Sequence, residues 1–142
     1  MKREFSAGGV VIRRFRGRPF GAVVHVRKHR VIALPKGHPD GEETMKEAAT
    51  REVREETGLE AELIEKLGDV RYWYTRRKGS RVFKVVSFYL FRYRSGSVRD
   101  HDDEIEHAEW LPLEDVPGAL AYPGERKIAE KALERVRALS DG

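Results

Sequence analysis

Glu52, Glu55 and Glu56 stand at i, i+3 and i+4. On a helix of 3.6 residues per turn they share an arc of ~100°. Like charges so spaced weaken a helix, so a fold that keeps them on one face gains from a cation there. Oxygen-only donors point to a hard divalent ion, Mg²⁺, with Mn²⁺ able to substitute. Just ahead, Leu34-Pro35-Lys36-Gly37-His38-Pro39-Asp40-Gly41 is dense in Pro and Gly and predicts a loop. Loop and helix-start N–H groups suit phosphate oxygens, and Lys36 and His38 add cationic or hydrogen-bonding groups beside them. The competing reading is a solvated helix laced with charge pairs. Of the i, i+4 pairs Glu47–Arg51 and Glu52–Glu56, only the first attracts.

The elements that must position these groups follow from pattern. Thr44–Thr57 reads as a helix, with a capping-box spacing at Thr44 and Glu47 and a left-handed stop at Gly58. Phe5–Ile12 is a short apolar run with a glycine pair, a buried strand over which another backbone or a ligand passes closely. Gly21–Val26 is a second strand, joined to the first by a polar hairpin-like connection over Arg13–Pro19. Ala61–Tyr74 and Arg81–Tyr93 predict two long strands around a turn at Arg76–Ser80. Ala108–Leu113 is a short strand, at an edge or ended by Pro112. Gly124–Leu139 closes the chain as an amphipathic helix with Ile128, Leu133, Val136 and Leu139 near one face. The order strands, helix, strands, helix argues for a mixed sheet packed between helices. With 142 residues and no repeat or linker, one domain over residues 1–142 is expected.

Composition narrows the chemistry. There is no cysteine, which excludes disulfides, thiol catalysis and cysteine-bound zinc. Asn and Gln are absent too, so base recognition must use backbone, rings, hydroxyls or charges. The missing amides and abundant Glu, Lys and Arg resemble a thermophile pattern, and high-GC codon bias explains them equally. The net charge is +4, but its segregation matters more. Cations cluster at Arg13–Arg18, Arg27–Arg30 and Arg71–Lys84, and acids at Asp40–Glu65 and Asp100–Asp115. A basic wall opposite an acidic helix suits a polyanion bridged by metal ions. No apolar run reaches the ~20 residues of a membrane span, and Met1–Glu4 leads into a strand pattern without a signal segment. A cytoplasmic protein, monomeric or homodimeric and with no membrane partner, is expected.

The stretch from Gly37 to Leu59 resembles the Nudix box, Gly-x5-Glu-x7-Arg-Glu-U-x-Glu-Glu-x-Gly-U, where U is a bulky aliphatic. Gly37, Glu43, Arg51, Glu52, Val53, Glu55, Glu56, Gly58 and Leu59 fill its defined positions. The resemblance extends to the leading Ala-Gly-Gly-Val-Val strand and to Trp110-Leu111-Pro112-Leu113. It implies an α/β/α sandwich with a mixed β-sheet, and hydrolysis of a phosphate–phosphate linkage by water attack on phosphorus. Glu52, Glu55 and Glu56 would bind the metals, with the Gly37 carbonyl as a further ligand. Glu43 and Arg51 would form a structural ion pair. The base would be Glu52 or a glutamate of the late loop, Glu104 first and Glu106 next.

For the substrate, Leu34–His38, Tyr72, Tyr74 and Tyr122 resemble the diadenosine polyphosphate hydrolase branch. In that branch an adenine lies between aromatic rings and the phosphates lie against Lys and His. Stacking needs no side-chain amide. No proline lies between Pro39 and Pro112, which weighs against the ADP-ribose branch. The alternatives are triphosphate RNA ends, oxidised nucleoside triphosphates or inositol pyrophosphates, which the basic stretch Arg76, Arg77, Lys78, Arg81 and Lys84 would fit. Nucleic acid is a partner only in that case. A non-catalytic nucleotide-binding Nudix module is the alternative of another class. His25 and His29 read as strand and turn residues. His101 and His107 fall in the acidic loop without zinc-site spacing, and Trp110 reads as core.

Overall fold

A computed structural model describes residues 2–140, and for Ser140 only the backbone. Its elements are β1 (Lys2–Phe15), β2 (Arg18–Val26), β3 (Val31–Ala33), β4 (Lys36–Gly37), α1 (Met45–Thr57), β5 (Leu59–Thr75), β6 (Arg81–Gly96), β7 (Ile105–Pro112), α2 (Val116–Ala119) and α3 (Pro123–Ser140). Among the described residues the strands form one seven-stranded sheet in the order β3-β2-β1-β6-β5, with β4 on β1 and β7 on β2. The β1–β6 pairing is parallel and the other pairings are antiparallel, so the sheet is mixed.

Alternation along β1 sends its apolar side chains to both faces. Ala7 and Val11 meet Ala48, Ala49 and Val53 of α1 on one face. Val10 joins Val86, Phe88 and Leu90 against Ile128, Ala129, Ala132 and Val136 of α3 on the other. This is the expected sandwich. Leu139 is 55% exposed at the end of α3, yet it borders one recess with Val136, Ile12 and Ile64.

The long strands exceed their predicted lengths. The connection foreseen over Arg13–Pro19 shrinks to a tight turn at Arg16 and Gly17, both at positive φ, 51° and 82°. That geometry matches the twist of a hairpin. The predicted loop also holds a short strand, because Lys36 and Gly37 pair with Gly8 and Ala7 of β1. The glycine pair of β1 permits this approach: a Cβ at Gly8 would lie 2.1 Å from the Pro35 carbonyl oxygen. The strand predicted at Ala108 begins at Ile105 and lies at the sheet edge on β2. No helix among the described residues is long and apolar enough to cross a membrane.

Candidate functional site

Both ends of α1 are fixed. Thr44 Oγ1 accepts the Glu47 N–H at 3.1 Å, and Glu47 Oε1 accepts the Thr44 N–H at 3.0 Å, the reciprocal cap expected from spacing. At the far end Gly58 has φ 79° and its N–H donates to the Arg54 carbonyl at 2.8 Å. A Cβ there would sit 2.3 Å from the Ser97 carbonyl oxygen. With Ala49 and Val53 packed inward, the directions of Glu52, Glu55 and Glu56 are set.

The loop presses onto this helix. A Cβ at Gly37 would fall 2.2 Å from Glu52 Cδ, so a larger residue there would displace the carboxylate. The Lys36 N–H donates to Glu56 Oε1 at 3.0 Å. Glu56 is 9% exposed, and burial pushes its carboxyl up to about 8. The Lys36 hydrogen bond opposes that shift, and the charges of Glu52 and Asp102 add to it. Burial also raises Glu52, against the Arg51 contact, with Glu55 and Glu104 contributing.

Arg51 gathers the acids. Its guanidinium donates to Glu43 Oε2 at 2.9 Å, Glu52 Oε1 at 2.7 Å, Glu55 Oε2 at 3.0 Å and the His38 carbonyl at 2.8 Å. The Glu43–Arg51 pair is therefore one part of a wider network, and the Arg51 hydrogen bond holds the Glu43 carboxyl below its usual range. Arg51 supplies positive charge between Glu52 and Glu55, which explains how a like-charged helix face is tolerated. The donor set fits a hard divalent cation as well. It is all oxygen, and it includes a buried carboxyl whose ionised form needs positive charge nearby.

The acidic loop before β7 reaches the same helix. The Asp102 N–H donates to the Glu55 carbonyl at 2.8 Å, and Asp102 Oδ1 accepts the Glu104 N–H at 3.1 Å. Glu104 is exposed, yet its charge reaches Glu52. Glu106 lies on β7 beside His107.

A cavity of roughly 620 Å³ opens beside Glu56, with Lys36, Val70, Tyr72, Phe88 and Tyr122 in its walls. Lys36 Nζ is 2.8 Å from Glu125 Oε2 and 5.2 Å from the centre of the Tyr122 ring. Tyr72 and Tyr122 remain 45% and 38% exposed, available to a flat ligand. Tyr74 is absent from those walls. Its hydroxyl donates to Glu4 Oε2 at 2.7 Å and its ring lies 6.3 Å from that of Tyr72. The alternating strand still puts Tyr72 and Tyr74 on one face, but Glu4 claims the second tyrosine. His38 Nδ1 lies 3.1 Å from the Phe5 carbonyl, so Nδ1–H donates there and Nε2 faces away from that bond.

Two residues escaped the sequence reading. Glu125, 3% exposed, accepts the Leu34 N–H at 2.8 Å as well as the Lys36 ammonium. Only its place in the first turn of α3 could have drawn notice. Asp102 lay within a charge run that also reads as a solvated turn. Lys84, counted in the basic stretch from sequence, is drawn inward: its side chain is 12% exposed, burial lowers its ammonium, and Lys36 lies near enough to add to that.

The chain belongs to the Nudix family: the NUDIX domain model matches residues 3–134. It is 40% identical over 98% of its length to a putative mutator protein MutT4 of Mycobacterium tuberculosis, and 34% identical over 80% to an 8-oxo-(d)GTP phosphatase of Mycolicibacterium smegmatis. It spans 58% and 34% of those relatives. Among solved structures it resembles the NUDIX domain of Shewanella oneidensis NrtR complexed with ADP ribose, with a TM-score of 0.74, 20% identity, and 96% and 90% of the two chains covered. A C. elegans Ap4A hydrolase binary complex matches with a TM-score of 0.74, 19% identity, and 95% and 98% coverage. Both likenesses establish the fold.

Proposed function

We propose that the chain is a Nudix pyrophosphohydrolase that splits a phosphate–phosphate linkage in a nucleoside diphosphate-linked substrate, with diadenosine polyphosphates, cleaved to release ATP, as the preferred class. The observation that carries this reading is the placement of Lys36. Its backbone N–H binds Glu56, and its ammonium borders the cavity that Tyr72 and Tyr122 flank. One residue thus joins the carboxylate face to a space for a base.

Glu52, Glu55 and Glu56, with the Gly37 carbonyl, would hold Mg²⁺ or Mn²⁺. The bound metal supplies neutralisation of phosphate charge and an acidified water. Lys36 and His38 Nε2 orient phosphate oxygens. Tyr72 and Tyr122 bind the base by stacking, which suits a chain without carboxamides. Glu104 accepts the proton of the attacking water, because the Asp102 contact holds its loop against α1 while Arg51 and Gly37 confine Glu52 to ligation. The name of the Mycolicibacterium smegmatis relative, an 8-oxo-(d)GTP phosphatase, favours a second reading, hydrolysis of nucleoside triphosphates including oxidised guanine.

A panel with Mg²⁺ separates the two, its products resolved by anion exchange. It holds diadenosine tetra-, penta- and hexaphosphate, ADP-ribose, ordinary and oxidised nucleoside triphosphates, triphosphate-ended RNA and an inositol pyrophosphate. Fastest cleavage of the dinucleotides, always with ATP as product, supports the first reading. Inert dinucleotides beside rapid oxidised-guanine turnover support the second. No turnover with Mg²⁺ or Mn²⁺ would sink both and leave a binding module.

A further inference from the structure

We propose that the β2–β7 edge carries a second metal site, built from His25, His107 and Glu109, that takes a zinc-class divalent ion. It shares no residue with the carboxylates of α1 and does not depend on the function proposed above. The strand register places His25 directly opposite His107, and pairs Glu109 with Val23. Side chains two apart on a strand share a face, so Glu109 stands diagonally beside His25. One ligand atom from each of the three side chains lies within 4.8 Å of the other two. Among the described residues, no other trio of His, Cys, Asp or Glu meets that condition.

The side-chain directions agree with the spacing. His25 Nε2 contacts Glu109 Oε2, and His107 Nε2 lies 3.9 Å from that same oxygen. The two rings meet edge to face with centres 5.1 Å apart. Both imidazoles therefore aim Nε2 at one carboxylate oxygen. Tetrahedral zinc binds His nitrogen and carboxylate oxygen at roughly 2.0–2.2 Å, which this cluster reaches by small rotamer changes. Three protein donors leave the fourth position to water. His25 and Glu109 are one-third exposed and His107 is 59% exposed, so an ion can enter. Arg30 and Glu106 also border the recess, with opposite charges.

The donor types set the selectivity. Imidazole nitrogen suits Zn²⁺, Co²⁺, Ni²⁺ and Cu²⁺, while Mg²⁺ prefers oxygen. The two sites then take different ions from one mixture. The location gives the second site a consequence. Arg27, two residues past His25, donates its backbone N–H to the Glu104 carbonyl at 3.4 Å and its side-chain Nε to the Asp103 carbonyl at 3.3 Å. An ion across His25 and His107 ties down both strands where the acidic loop joins the sheet.

The test is Zn²⁺ titration of the whole chain in saturating Mg²⁺, read by imidazole ¹⁵N resonances and by Tm. The expected result is one Zn²⁺ per chain, movement of the His25 and His107 Nε2 signals with those of His29, His38 and His101 unmoved, and a rise in Tm. His107→Ala, at an exposed position, should fold normally and weaken Zn²⁺ binding at least roughly 10- to 100-fold, the loss that even outer partners of a metal cause. Glu109→Gln should weaken it similarly. Unmoved His25 and His107 signals, or unchanged affinity in both variants, would overturn the assignment.

Discussion

The backbone N–H of Lys36 donates to Glu56 Oε1 at 3.0 Å, which fixes the loop to a carboxyl whose burial pushes it up to about 8. An acid raised in the folded state binds a proton there that the unfolded chain has already lost. Between pH 4.5, the ordinary value, and about 8, the native state holds more protons, so stability falls as pH rises through that window. Metal-free protein should lose Tm across this range, and Glu56→Gln should flatten the loss while cutting turnover by orders of magnitude. Mg²⁺ should restore most Tm at the alkaline end. Equal Tm profiles for the two proteins would disprove this.

Arg51 is 16% exposed and serves Glu43, Glu52, Glu55 and the His38 carbonyl together. Arg51→Ala leaves three partly exposed carboxylates without their shared counter-charge and should lower the urea midpoint of unfolding. Arg51→Lys should recover little, because an ammonium cannot reproduce the planar fork. Full recovery by lysine would reduce the network to simple charge.

Tyr72→Ala and Tyr122→Ala should raise KM for a dinucleotide with kcat nearly unchanged. Stacking is worth about 1–3 kcal/mol per base, so the rise should be roughly 5- to 150-fold. Tyr74→Ala should instead lower Tm, since its hydroxyl anchors Glu4. A KM effect confined to Tyr74 would reverse this assignment.

Glu104→Gln should lower kcat by about 10²- to 10⁴-fold with the Mg²⁺ dependence unmoved, as for a lost general base. Glu52→Gln should shift the Mg²⁺ dependence. If the two variants exchange these signatures, Glu52 is the base.

What the sequence disclosed was local. The cap at Thr44, the stop at Gly58 and the crowding at Gly8 are written in residue type and short spacing, and all three hold in the structure. Pairings between distant residues were not legible. Glu4 claims Tyr74 from 70 positions away, and His25 meets Glu109 across 84. The register of β2 on β7 creates the second contact, and no spacing rule reports it. Lys36 was legible as a cation of the glycine-rich loop, but the buried acid that holds it, Glu125, lies in a helix turn whose pattern speaks only of capping.

The parallel pairing of β1 with β6 bears on how the protein comes into being. Along one edge, Lys2 through Ile12 pair with Val82 through Arg92. On a ribosome, β1 can form its hairpin with β2 at once, but its other edge must wait for most of the chain to emerge. Long-range pairing of this kind slows folding and leaves a strand edge open meanwhile. Lys2, Arg3 and Glu4, charged residues at the start of that edge, also discourage the nascent strand from pairing with its neighbours on a polysome.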